Sequence, residues 1–516
     1  MLQRLTIAIL ALTGIVSAMG PVDTIRQHPE LAKRAQFETR NEPESEVNER
    51  RSKSKYYNSN TAKYWVNGNK IPDVNFDVGE SYAGLMPISK DKNETRQLWF
   101  WFFPTTGTVD DELVIWLNGG PGCTVKAVLK DFYRKTDPSP GKRSPRPLPI
   151  CLHKKLTRAG NRQYGTYKPS SRIDQPVGTG FSQGVPDATS EEDIAVKFLG
   201  FLENFIKTFG FENKKIYLTG ESYAGYYVTY ILDAMYNKND TKLFDPRGLM
   251  IYNPTLSEWV VHEQIPMVPF VDYWARLLAL NETTMDRLHD MADKCGYTSY
   301  LNENMLFPPR GPLPTPPHIF TPEECDVWRA ALRAATLVNP CFNVYHITTT
   351  CPILWDVLGY PGTNHFLPEG AEIYFNRTDV QKAINAPHMN WEECSGDLVF
   401  PNGDPSDPPN YSLLPRLIDK LERTVIGHGI LDFRFPINGT LLSIQNMTWG
   451  GKQGFQTKPT EPFIVPYDSQ GIMGVVHTER KLTWVEIEWC GHMVPQYQPG
   501  VAYRQLEYLL GRIDKL

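Results

Sequence analysis

Short apolar runs bounded by turn residues recur along this chain, and between them lie longer stretches with apolar residues at helical spacing. Leu98–Phe103 (LWFWFF) and Leu113–Leu117 (LVIWL) are short, apolar and aromatic, the pattern of buried strands. Within Asp193–Phe209, residues Ile194, Val196, Phe198, Leu199, Phe201, Leu202, Phe205 and Ile206 read at helical spacing. That stretch leads into Lys215–Thr219 (KIYLT), another short strand, then a Gly/Ser/Tyr turn and the apolar run Tyr226–Met235. Strand, tight turn and helix in that order predict an α/β fold, with a mixed, mostly parallel sheet and helices on both faces. Arg423–Ile426 and Leu482–Ile487 read as two further strands. Between about residues 258 and 370 the pattern changes to helical stretches, among them Val271–Lys294, with cysteines and proline-rich loops. This predicts a helical, disulfide-containing insertion over the sheet, within one domain spanning residues 56–516.

Composition narrows the class. The chain has 516 residues, 41% hydrophobic and 22% charged, enough for a large buried core and unlike a disordered or multi-span protein. A net charge of −5 gives no electrostatic footprint for nucleic acid. Residues 1–18 place Arg4 before the apolar run Leu5–Val16 and end in Ser17-Ala18, a signal-peptide pattern too short to span a bilayer. No membrane span is expected once it is removed. Residues 19–55 are charged, with dibasic pairs at Lys33-Arg34 and Arg50-Arg51, and read as a pro-segment or a flexible arm. Sequons at Asn93, Asn239, Asn281, Asn376, Asn410, Asn438 and Asn446 predict glycosylation on the secretory route, ending outside the cell or in a vacuole. Eight cysteines in such a chain are expected to be mostly oxidised.

The chemistry concentrates at four strand ends. Gly220-Glu221-Ser222-Tyr223-Ala224 sits at a strand-to-helix turn, where a nucleophilic serine needs a sharp corner and small neighbours. Ala224 stands where the usual G-x-S-x-G pattern has its second glycine. The alternative reading of Ser222 is an ordinary helix cap. Asn118-Gly119-Gly120-Pro121-Gly122-Cys123 follows a strand, and its glycines allow backbone N–H groups to approach a ligand. Asp432 lies just beyond Arg423–Ile426 and His492 just beyond Leu482–Ile487, which completes the chain order Ser…Asp…His. His428 is the nearest rival base. There is no H-E-x-x-H and no Cys/His pairing at zinc spacing, so no metal or cofactor is expected.

GESYAG, WLNGGPGC, DQPVGTGFS (Asp174–Ser182) and CGHMVP together resemble the serine carboxypeptidase family, and the run from His428 onward resembles a fungal secreted or vacuolar branch of it. The resemblance implies an α/β-hydrolase fold and removal of single residues from peptide or protein C-termini at acidic pH. It implies Ser222 as nucleophile, His492 as base and then acid, and Asp432 holding the imidazole. The N–H groups of Gly120 and Tyr223 would form the oxyanion hole. Asn118, Gly119 and Glu221 would bind the substrate carboxylate, and Met493 would line the leaving-residue pocket. It also suggests pairing of Cys123 with Cys394, and it leaves Cys490 as a candidate free thiol. Glu221 must share a proton with a substrate carboxylate, since two bare anions in contact repel. Peptide cleavage is therefore expected to weaken as Glu221 ionises, whereas ester cleavage persists to higher pH.

One stretch departs from the family. From Thr124 to Arg162 the chain carries eleven Lys/Arg against two Asp, with five prolines. The family continues after Cys123 with two serines and a helix bearing an acid that helps hold the substrate carboxylate. Here Phe132 takes the acid's place, with Asp131 beside it. Residues 124–172 read like intronic or out-of-frame sequence, and Lys168–Arg172 (KPSSR) stands where an apolar strand is expected, so a core strand is predicted to be lost. The competing functions are an acyltransferase or esterase on the same scaffold and an inactive homologue. Side-chain preference and oligomeric state have no sequence signal.

Overall fold

The computed structural model describes residues 44–74, 77–105, 107, 110–124, 170–353, 372–395, 399–466 and 471–516. The expected signal peptide, most of the arm after it and residues 125–169 lie outside this set, and with them Asp131 and Phe132.

Among the described residues the strands are β1 (Trp65–Val66), β2 (Ser81–Pro87), β3 (Gln97–Phe103), β4 (Glu112–Leu117), β5 (Ser170–Asp174), β6 (Lys215–Glu221), β7 (Asp245–Tyr252) and β8 (Arg423–Gly429). A small hairpin, β9 (Thr448–Trp449) and β10 (Lys452–Gln453), precedes β11 (Glu461–Val465), β12 (Gly471–Glu479) and β13 (Leu482–Ile487). All but the hairpin form one sheet in the order β1-β2-β3-β5-β4-β6-β7-β8-β13-β12-β11. Its centre, from β5 through β4, β6, β7 and β8 to β13, is parallel, and antiparallel strands flank it on both sides.

The period-2 alternation of strand side chains gives this sheet two cores. Ile216 and Leu218 on β6 and Leu249 and Ile251 on β7 pack with the helices Glu191–Phe209 and Ala224–Lys238. Tyr217, Met250, Val425 and Val485 face the other way, onto Val501 and Leu509 of the helix Pro499–Leu509. The helix Glu191–Phe209 has clear ends. The Ser190 side chain accepts from Asp193 N, three acidic residues fill the first turn, and Gly210 closes it at φ 69°.

The predicted loss of a core strand is corrected by the structure. Ser170–Asp174 is β5, antiparallel to β3 and parallel to β4. Ladder hydrogen bonds are made by backbone atoms, so a segment needs few apolar side chains of its own when its neighbours supply them. Ser171 and Ile173 are buried, and Phe100, Phe102, Leu113 and Ile115 on the adjoining strands carry the packing.

A second correction concerns the helical stretch Val271–Lys294. It is divided into Met267–Tyr273, Ala275–Leu278 and Glu282–Lys294. Ala279 at φ 51° ends the middle piece, and the Asn281 side chain caps the last. The insertion carries Cys295–Cys325 and Cys341–Cys351, and its apolar residues reach Leu431, Phe433 and Leu442 beside the sheet. Before β1, Glu44–Lys53 is helical, and the Arg51 guanidinium lies over the rings of Tyr57 and Trp65.

Candidate active site

Ser222 stands immediately after β6 with φ 64°, a left-handed conformation that costs a non-glycine residue about 1–3 kcal/mol. Hydrogen bonds hold it there: Ser222 N donates to the Tyr252 carbonyl at 2.9 Å, and the Ser222 carbonyl accepts from Thr255 N and Gly225 N, each at 3.0 Å. The small residues of the motif follow from packing. A Cβ on Gly220 would lie 2.6 Å from the Leu117 carbonyl oxygen and 2.7 Å from Ala224 Cβ. Ala224 itself is fully buried at the helix start, so its methyl is tolerated where the usual pattern has glycine.

The loop after β4 packs directly on this corner. A Cβ on Gly119 would sit 2.4 Å from Tyr223 N and 2.8 Å from Ser222 Cβ, so only glycine permits the approach. The N–H groups of Gly120 and Tyr223 donate to no other group among the described residues. Asn118 is braced on both sides: its Oδ1 accepts from Trp116 Nε1 at 2.8 Å, and its Nδ2 donates to the Thr124 carbonyl at 3.0 Å. One Nδ2 hydrogen is left over. Cys123 is disulfide-bonded to Cys394, in the pairing that the family resemblance suggested, which ties the loop to a distant segment.

His492 and Asp432 meet from two other strand ends. His492 Nδ1 donates to Asp432 Oδ2 at 2.6 Å, both side chains being buried. Asp432 Oδ1 accepts from Phe435 N at 3.3 Å. This fixes the imidazole with Nε2 as its available nitrogen. No hydrogen bond joins Nε2 to Ser222 Oγ among the described residues, and such contacts are often long before substrate binds. His428, the rival base, is enclosed within β8. It donates from Nε2 to the Phe435 carbonyl at 2.8 Å, and burial pushes its pKa down to about 4, so it is a neutral structural residue.

Glu221 is buried at 6% exposure next to Ser222. Burial pushes its carboxyl pKa up to about 7; the nearby His492 opposes the rise and Asp432 adds to it. Behind the corner, Tyr223 Oη donates to Asp404, and burial also raises the carboxyl of Glu191, fully enclosed close by. Met493 is half-buried and directly precedes the short helix Val494–Tyr497.

Two further residues contact these loops, and one of them carries a sequence signal of the kind used above. Tyr345, from the insertion, accepts from His492 N at 2.8 Å and places its ring 5.2 Å from the imidazole. Asn253, just after β7, joins the loops that carry Asp432 and His492. The strand-end placement that singled out Asp432 and His492 applies to Asn253 as well and would have found it.

Cys490 is a free, buried thiol raised well above its usual pKa by burial. Cys295, His318 and Cys325 cluster at metal-like spacing, but the two sulfurs are joined to each other in a disulfide. Among the sequons, Asn93, Asn239 and Asn281 are exposed, while Asn376, Asn438 and Asn446 are half-buried. Asn410 is 1% exposed and donates from Nδ2 to the Ser443 carbonyl at 3.4 Å, so the fold has no room for a glycan there.

The sheet order, the serine corner and the His–Asp pair at successive strand ends define a serine hydrolase of the α/β-hydrolase fold. The serine carboxypeptidase family model matches residues 72–130 and 172–512, and the chain belongs to that family. The unmatched gap falls within the basic stretch that departs from the family's sequence. A probable serine carboxypeptidase of Arthroderma benhamiae is 51% identical over 482 residues, covering 91% of this chain and 90% of that protein. Serine-type carboxypeptidase F of Aspergillus niger is 42% identical over 500 residues, covering 89% of each. The crystal structure of Kex1, a prohormone-processing carboxypeptidase of Saccharomyces cerevisiae, superposes with a TM-score of 0.62 at 22% identity, covering 88% of this chain and 96% of that one, which shows the shared fold. The protein is therefore a serine-type carboxypeptidase by family. No helix among the described residues is long and apolar enough to cross a membrane.

Proposed function

We propose that the protein removes C-terminal residues from peptides at mildly acidic pH through Ser222, His492 and Asp432. Ser222 Oγ attacks the scissile carbonyl while His492 Nε2 takes its proton and passes it to the departing amino acid. Asp432 keeps Nδ1 protonated and stabilises the imidazolium. The N–H groups of Gly120 and Tyr223 receive the oxyanion, and their lack of other partners among the described residues supports this role. Water then repeats the attack on the acyl-enzyme.

The observation that carries exopeptidase action is Glu221, a buried carboxyl beside the nucleophile that is still protonated in mild acid. A protonated carboxyl donates to the terminal carboxylate of a peptide, with the spare Asn118 hydrogen and the Gly119 backbone beside it. An ionised one repels that carboxylate, and substrate binding fails. An ester without a free carboxylate is indifferent to this proton. The test is a pair of pH profiles of kcat/KM, one on an N-blocked dipeptide and one on the matching blocked ester. Peptide turnover is expected to fall through about pH 7 while ester turnover continues. Parallel profiles would rule out this role for Glu221.

Three disulfides fit an oxidising compartment, so the route is secretory, to the exterior or a vacuole. Asn93, Asn239 and Asn281 are the sequons best placed for glycans; the Asn281 cap uses only Oδ1 and leaves Nδ2 free.

A further inference from the structure

We propose that Asn253 is the positioning residue that holds the three catalytic loops in register, an inference that rests on the serine-hydrolase reading of this site. Asn253 follows the last residue of β7 at φ 43°, a left-handed conformation that asparagine tolerates better than most residues. It is fully buried. Its side chain uses both ends. Nδ2 donates to the His492 carbonyl at 2.8 Å and to the Gly491 carbonyl at 3.1 Å. Oδ1 accepts from Gly429 N at 2.7 Å, at the end of the strand that leads to Asp432. Its own N–H donates to the Gly427 carbonyl at 2.9 Å.

The residues beside it grip the third loop. Tyr252 accepts from Ser222 N, and Thr255 N donates to the Ser222 carbonyl. Residues 252–255 are thus bonded to the serine corner, the aspartate loop and the histidine loop together. Within residues 252–255 the Asn253 side chain spans the last two at once, beside the Leu431 N to Cys490 carbonyl and His492–Asp432 bonds that also join them. Two donors and one acceptor on a planar amide match two carbonyls and one N–H, a set that no other side chain of that size provides.

The chemistry needs this because the attacking hydroxyl and the base come from segments 270 residues apart in sequence numbering, Ser222 and His492. A misplacement of about 1 Å between reacting groups costs on the order of 10²-fold in rate. The His492–Asp432 bond sets the ring's orientation but not its height above Ser222. The amide of Asn253, bonded to the His492 carbonyl, sets that height together with the Tyr345 carbonyl, which accepts from His492 N.

The test uses the full chain with Asn253→Ala and Asn253→Asp, assayed on an N-blocked amino-acid ester across pH. The ester removes the Glu221 contribution, and rates are normalised to folded protein by circular dichroism and thermal unfolding. Asn253→Ala is expected to lose about 10²-fold in kcat with KM little changed. Asn253→Asp keeps the acceptor for Gly429 N. When protonated, it can donate to one of the two carbonyls; when ionised, it faces both without a proton. The ionisable groups around it are His492 and Asp432 on the loops, His428 in β8, Cys490 before Gly491, and Glu221 and Tyr252 at the adjoining strand ends. Asn253→Asp should therefore regain activity in acid and lose it as pH rises, where the unmodified chain holds its ester rate.

Variants that match the unmodified chain in kcat at every pH overturn the proposal. So does an Asn253→Asp protein whose loss is independent of pH and accompanied by a lowered Tm, since that is a structural effect alone. If Asn253→Ala fails to fold, the near-isosteric Asn253→Asp carries the test. An unmodified chain without ester or peptide turnover would instead count against the hydrolase reading.

Discussion

A buried carboxyl next to a nucleophile leaves a trace in stability as well as in turnover. With its carboxyl raised from 4.5 to about 7, Glu221 is more readily protonated in the folded protein than in the unfolded chain. Its stabilising contribution is complete below the unfolded value and is withdrawn as pH rises through the folded one, roughly 3 kcal/mol in all. Glu191, raised for the same reason, acts in the same direction. Glu221→Gln cannot ionise, so its Tm is expected to fall less than that of the unmodified protein between about pH 5 and 8. The same variant should lose the alkaline decline in peptide kcat/KM, because an amide donor to the substrate carboxylate does not titrate. A Tm that falls equally in both proteins would show that Glu221 is ionised throughout.

At the scale of elements, the site is a set of strand ends brought level by the parallel sheet. Ser222 follows β6, Asn253 follows β7, Asp432 follows β8 and His492 follows β13, and these strands are neighbours in the sheet. That layout was legible in the sequence for β6, β8 and β13, whose apolar runs end at residues with evident chemistry. β7 carries no such mark, because Asn253 has no reactive group and its partners near Gly491 are 238 and 239 positions away. β5 is hidden in the sequence for a different reason. Apolar content marks strands that bury their own side chains, whereas Ser170–Asp174 is held by ladder bonds between two apolar neighbours. Tyr345 could not be placed from sequence because the path of the insertion is set by packing against Phe433 and Leu431, not by a local period. The Cys123–Cys394 bond fixes the loop after β4 across a separation of 271 residues. Replacing both cysteines with serine is expected to cost about 2–5 kcal/mol, measured by denaturant unfolding. It should also lower kcat more than it alters KM for the ester. An unchanged unfolding midpoint would mean that hydrogen bonds such as Ser395 N to the Gly122 carbonyl hold the loop unaided.

For the whole molecule, the family match on either side of residues 131–171 and the His492–Asp432 pair beside the strained Ser222 corner point the same way. The basic stretch interrupts the family's sequence without removing the sheet, since β4 and β5, which flank it, still pair. Large insertions between paired elements add only slowly to the entropy of closing a loop, so the fold tolerates one there. Under the proposed function, Glu221 is the carboxyl on which peptide binding depends. The central claim is that this chain, with residues 124–172 as they stand, cleaves peptides at Ser222. The measurement that tests it most directly is release of the C-terminal residue from an N-blocked dipeptide at mildly acidic pH, with the full chain from a secretory host and Ser222→Ala alongside. The account predicts release by the full chain and none by the variant. A secreted, folded chain that releases nothing, or a Ser222→Ala protein that releases as much, would contradict it.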